Sequence, residues 1–169
     1  TGVTVSRFYE FTSESTNYNK NTSVGMGLRA GGLLPRSQRR VVTTFDATGD
    51  VILDLPTRGL GLLLAHAMSS FPSKVGSSFT FTLGDPYGKS FTAQIGVPQY
   101  GGTVTPKTVT GAKISSFELS AATGEIATGT FNIDAAGFTT STALATPSYA
   151  LNGSVFHFAQ GAITVDGTA

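Results

Sequence analysis

The stretch Thr110-Gly-Ala-Lys-Ile-Ser-Ser-Phe-Glu-Leu-Ser120, followed closely by Thr123-Gly-Glu-Ile-Ala-Thr-Gly-Thr-Phe131, decides the fold class. Lys113 to Ser120 and Ile126 to Ala135 are rich in β-branched and aromatic residues, and Ala122-Thr-Gly-Glu125 between them has turn chemistry. The spacing predicts a β-hairpin. Along its second strand Ala127, Gly129, Phe131 and Ile133 form a core-like face, and Thr128, Thr130, Asn132 and Asp134 form a polar one. Alternation of this kind belongs to a strand with one face on a core.

Working outward, Ser78 to Leu83 and Ser90 to Val97 flank Gly84-Asp-Pro-Tyr-Gly88 and read as another hairpin. Val104 to Thr110 reads as a weak strand or loop. Val41 to Phe45 and Asp50 to Leu55 read as a pair of strands joined through Ala47-Thr-Gly49, and Val3 to Thr12 as a strand with both faces at least partly covered. Val155 to Phe158 and Ala162 to Val165 allow a last hairpin after the Thr/Ala/Ser/Pro stretch 136–152. One helix is expected over about residues 57–70. Thr57 would be its N-cap, and Leu60, Leu63, Leu64, Ala67 and Met68 fall at the spacing of one apolar, core-directed face.

From Ser13 to Arg40 the alternation dissolves into Asn, Ser, Gly and Arg, so a long loop is expected over about residues 13–40, with room for an extended arm. Loops of this length in a compact domain are usually functional or disordered. Val24, Met26, Leu28, Leu33 and Leu34 favour a segment that reaches a partner. Arg29, Arg36, Arg39 and Arg40 cluster there. They read either as a solvated loop or as an inter-subunit contact, since arginine forms bidentate pairs with carboxylates.

The chain has 169 residues, enough for a single domain with a real core. Charged residues make up 12% of it, against about 25% in an average soluble domain. A subunit with covered flanks fits that shortage, as does a hydroxyl-rich β-domain. The 21 Gly and 12 Phe, with no Trp, favour strands and turns, and the absence of Cys excludes a disulfide framework or a thiolate metal site. The longest apolar run, Leu60 to Met68, is far short of a membrane span, so no membrane insertion by this chain is expected. Net charge is +1 but uneven, with six of the 11 Lys/Arg and only two of the 10 Asp/Glu in residues 1–40.

Catalytic chemistry finds little support. His66 and His157 stand far apart, neither at metal-ligand spacing with a carboxylate, and no Gly-x-Ser-x-Gly elbow is present. The Gly-rich stretch 25–32 does not match a phosphate-binding loop. No enzyme activity, cofactor or metal is expected. A carbohydrate- or receptor-binding β-sandwich module of a virion or cell surface remains the alternative to a self-assembling block.

The order Arg7-Phe-Tyr-Glu-Phe-Thr-Ser-Glu-Ser15, Gly49-Asp-Val-Ile-Leu-Asp-Leu55, Arg58-Gly-Leu-Gly-Leu-Leu-Leu64 and then the hairpin 110–131 resembles that of siphophage (non-contractile) tail tube, or major tail, proteins. The hairpin is the most specific part, with its Gly-x-Lys-Ile-x-x-Phe strand, Gly-Glu turn and Gly-x-Phe strand. The resemblance implies a mainly β, sandwich-like or barrel-like tail tube fold with one flanking helix. It also implies assembly with copies of itself into rings, hexameric or pseudo-hexameric, that stack into a tube carrying double-stranded DNA transiently and non-specifically. Other phage tail proteins are implied partners, and the location is the virion, after assembly in the bacterial host cytoplasm. The long loop would bridge to the adjacent ring through Arg29, Arg36, Arg39 and Arg40, and Thr128, Thr130, Asn132 and Asp134 would face the lumen or simply solvent. Residues 1–169 are expected to form one tail-tube-like domain, either a whole ring subunit or part of a longer two-half protein.

Overall fold

A computed structural model of the chain describes residues 5, 7–27, 30–32, 37–149 and 153–161. Its framework is an antiparallel sheet. Strands β1 (Ser13–Glu14) and β2 (Asn17–Val24) both pair with β3 (Arg40–Asp54), which pairs on its other side with β8 (Thr128–Ala135). Between them in sequence come helix α1 (Leu60–Ala67), a small ribbon of β4 (Ser73–Val75) and β5 (Ser78–Thr80), and β6 (Phe91–Pro98). Then follow β7 (Val104–Ser120), β8 (Thr128–Ala135) and β9 (Gly137–Thr139). The spatial order is β1-β3-β8-β7-β6, with β2 also on β3 and β9 on β7.

The hairpin of β7 and β8 forms as the sequence predicts, with Phe117 opposite Phe131 and Lys113 opposite Asp134. The weak segment before it is the first half of β7. Residues 104–112 pair with β6, and Thr108 to Thr110 also pair with β9, while residues from Lys113 onward pair with β8. Gly111, at φ 63°, sits between the two halves, where few residues other than glycine are comfortable, and the strand bends there. The bend brings the two halves of the sheet onto a shared core, giving the mainly β, sandwich-like architecture.

Small residues fill the corner. Ala47, Val109, Ala112, Ile133 and Ala135 form one buried cluster, joined by Tyr18, Val51, Phe91, Ala93 and Phe138. A second cluster, Leu53, Leu55, Ala127 and Phe131, lies where Leu60 and Leu63 of α1 press on the sheet. The predicted helix exists but is shorter than residues 57–70. Gly59 occupies the N-cap without a side-chain cap, because Thr57 instead donates its N–H and Oγ1 to Ser154 O. Leu60, Leu63, Leu64, Ala67 and Met68 are half-buried, and Ala65 is the buried residue of the helix.

Several expectations are overturned. Ser13 to Arg40 is not a loop throughout: its first half is β1 and β2, and Ser37–Arg39 is a turn of 3-10 helix. Asn17-Tyr-Asn-Lys-Asn21 conceals a strand because nearly every residue of β2 is exposed, so no apolar alternation marks it. Ala47-Thr-Gly49 is not a turn, since β3 runs straight through it with β8 alongside. Ser78 to Leu83 does not pair with Ser90 to Val97. The β4 and β5 ribbon turns at Gly76, and β6 takes β7 as its partner. Among the described residues of 3–12 no strand forms, although Thr12 N–H donates to Ile52 O. Val155 and His157 make single bridges to Pro56 and Ile126, and the expected partner strand 162–165 lies outside the described residues.

Phe131 is 1% exposed and touches both the helix layer and Phe117. Phe131→Ala is expected to lower stability by about 3–5 kcal/mol, seen as a lower denaturant midpoint at unchanged slope.

Candidate functional site

Two features stand out from this framework: a polar sheet face and an arm. Directly opposite residues of an antiparallel pair share a face. Thr128, Thr130, Asn132 and Asp134 on β8 therefore lie beside Asp54, Ile52, Asp50 and Thr48 on β3 and beside Ser120, Glu118, Ser116 and Lys113 on β7. The face carries the carboxylates of Asp50, Asp54, Glu118 and Asp134 against the single amine of Lys113. It is ordered across strands: Asn132 Nδ2 donates to Asp50 Oδ1 at 2.8 Å, and the Ser115 hydroxyl, on a bulge of β7, donates to Asn132 Oδ1. Among the described residues both flanks of this face are open strand edges, β1 and β2 on one side and the second half of β7 on the other.

The arm arises because β3 outruns β8. Pairing with β8 begins at Ala47, so residues 40–46 are paired only with β2 and leave the sheet as a two-stranded ribbon. Asn19 to Gly27 and Ser37 to Asp46 are exposed. Arg39 and Arg40 lie at its far end, where Gly25 N–H donates to Arg39 O, the Arg39 side chain packs against Gly25 and Gly27, and Arg40 Nε donates to Thr22 Oγ1. Arg29 and Arg36 lie outside the described residues. The arm is thus built from the sheet's own ladder.

At its root the structure brings together groups that no local pattern announces. Lys107 Nζ on β7 meets Glu14 Oε1 on β1 at 2.7 Å and donates to Thr16 O at 3.1 Å, while Thr16 N–H donates to Glu14 Oε2. Tyr18 stacks on Phe138 of β9 at 5.3 Å and Lys20 Nζ lies over the Tyr18 ring. Glu14 and Lys107 stand 93 residues apart in sequence, which is why sequence reading missed them. Burial would raise the Glu14 carboxyl, but hydrogen bonds from Lys107 and the Thr16 backbone, with the lysine's charge, hold it below its ordinary value.

Elsewhere the chemistry is sparse. His66 is half-buried between Phe91 and Phe71, and loss of water lowers its pKa. Among the described residues no group of three His, Cys, Asp or Glu side chains could hold a metal. A groove of about 240 Å³ is lined by Tyr9, Glu10, Phe11, Thr12, Asp54, Pro56 and Val155. No described helix is long and apolar enough to cross a membrane.

Compared with known proteins, residues 4–169 match the family of phage tail tube proteins. The chain belongs to that family. Its role is therefore structural, as a subunit of a phage tail tube. Two solved structures are similar at 12% identity. One is a chain from the virion of a native gene transfer agent particle, with TM-score 0.45, covering 76% of this chain and 84% of that one. The other is the SPP1 tail tube, with TM-score 0.46, covering 81% of this chain and 67% of that one. No curated protein matches the sequence.

The Glu14 arrangement gives this tail tube protein a defined pH response. Its folded pKa lies below the ordinary value of 4.5, so the stabilisation is fully present above about pH 4.5 and is lost as pH falls through the folded pKa. Urea unfolding of the wild type and Glu14→Gln between pH 3 and 7 is expected to show a wild-type advantage at neutral pH that shrinks on acidification.

Proposed function

We propose that copies of this chain join edge to edge into a ring, hexameric or pseudo-hexameric, with the polar face of β3, β8 and β7 turned to the lumen, and that the arm joins one ring to the next. The observation that carries the reading is the acidic, hydroxyl-rich face bounded by two open edges. Open edges invite another chain to continue the ladder. A lining of carboxylates and hydroxyls suits passing DNA because it neutralises no phosphates. A basic lining would release counterions and hold the duplex. Thr128, Thr130, Asn132 and Asp134 would belong to that wall. On this reading residues 1–169 act as one ring-forming domain of a virion tail assembled in the host cytoplasm, with other tail proteins at its ends.

The arm suits ring-to-ring contact on separate grounds. A lone two-stranded ribbon is marginal in water and gains from a further surface to pack on. Its exposed Val24, Val41, Val42 and Phe45, together with Arg39 and Arg40, offer a mixed apolar and basic contact. Carboxylates of a neighbouring ring are the natural partners of the arginines. A glycan- or receptor-binding role draws no comparable support, as the sequence has no Trp and the described groove presents only scattered polar groups.

Replacing residues 21–44 by Asn-Gly closes the arm with a two-residue turn at the Lys20 and Phe45 pair. The expected product is folded and forms rings, but electron microscopy shows no long tubes. Long tubes from this variant would remove the arm from the mechanism. For the lumen, tubes carrying Glu118→Lys and Asp134→Lys are expected to co-sediment with linear duplex DNA at low salt and release it as salt rises, while wild-type tubes bind little. Equal retention by both would place this face elsewhere.

A further inference from the structure

β1 and β2 are one strand interrupted at Ser15 and Thr16, because the register on β3 is the same before and after the gap: Glu14 faces Val51 and Asn17 faces Thr48. The interruption coincides with Gly49. A Cβ built there would lie 2.6 Å from Thr16 N and closer still to Thr16 Cα, so the two backbones press together at a distance that only glycine permits. Ser15 still donates its N–H to Asp50 O, and Asp50 N–H donates to the Ser15 hydroxyl. Thr16, 4% exposed, instead turns its N–H to the Glu14 carboxylate and its carbonyl to the Lys107 ammonium. Side chains have taken over the hydrogen bonds of a buried backbone unit at the base of the arm.

Glu14, Thr16 and Tyr18 alternate along one face, the face that Val51, Gly49 and Ala47 share with the core. Lys107 reaches them from the far half of the sheet, where it pairs with Ile95 on β6. It therefore bridges the bend. From these contacts we infer that Glu14 and Lys107 are positioning residues that fix the direction in which the arm leaves the sheet. The inference rests on the reading of the arm as the ring-to-ring joint only for its consequence in assembly. The latch itself belongs to the single chain. Without it Thr16 loses both backbone partners in a site that is largely closed to water, and the strand has no ladder at that point to hold its course.

The chain has no cysteine, so paired spin labels at Ser23→Cys and Ser116→Cys report the angle of arm to sheet in unassembled protein without background. The wild type is expected to give a narrow distance distribution. Lys107→Met and Glu14→Gln are expected to broaden it at unchanged fold, and Lys107→Arg, which keeps both donated hydrogen bonds, to restore it. Thr16 amide exchange is expected to rise about tenfold in Glu14→Gln, whose neutral amide replaces the carboxylate that accepts the Thr16 N–H. A Lys107→Met distribution superimposable on wild type overturns the inference, as does unchanged Thr16 exchange. Should Lys107→Met fail to fold, Glu14→Gln, which keeps the side-chain volume, decides by the same two readouts. Long tubes from the arm-shortened protein would overturn the stacking role alone, because these measurements do not depend on assembly.

Discussion

Backbone groups taken away from water must be paired, and β3, with 15 residues, is nearly twice as long as the 8-residue β8 beside it, so much of it must find another partner. Two of the larger features start from that mismatch. Where β8 ends, at the Ala47 and Ala135 pair, its chain crosses Gly137 to pair with the first half of β7 and carries the sheet around its bend. The surplus of β3 continues outward, and β2 goes with it to satisfy its ladder. The arm and the bend are two outcomes of one parting of strands, and three buried alanines, Ala47, Ala112 and Ala135, pack at that corner.

Charge is distributed with the same economy. The ion pair found among the described residues, Glu14 with Lys107, is placed on the inner face at an edge strand, where it satisfies backbone rather than merely decorating the surface. Partly buried pairs contribute when their remaining donors and acceptors are also met, and here Thr16 supplies both. The carboxylates of the opposite face lie beside hydroxyls and amides instead of lysines, apart from Lys113. That arrangement sets the chemical character of the two faces before any copy meets another.

How much of this could be read from the sequence depends on how much of each element is set by its own neighbours in the chain. The hairpin of β7 and β8 was legible because Ala127, Gly129, Phe131 and Ile133 alternate with polar residues and a Gly-containing turn separates the strands. The helix was legible from its leucines, though not its start, since Thr57 is claimed by Ser154 from far along the chain. β2 was hidden because a ribbon exposed on both faces has no alternation to show. Gly49 was misread as a turn residue, when its missing side chain serves the close approach of Thr16. Glu14 and Lys107 meet only through the bend, which no short window of sequence records.

The arm has a mechanical consequence. Its two strands leave the sheet side by side, so a pull along the arm is shared by two covalent backbones and passed at the root to the β3 and β8 ladder in shear, whereas a sideways push meets only the stiffness of a thin ribbon. A tube jointed through such ribbons is expected to resist being drawn apart while flexing readily, with each ring tilting on the next. The bulge between Asn21 and Thr22, which interrupts the ladder midway along the arm, marks where that flexing would concentrate.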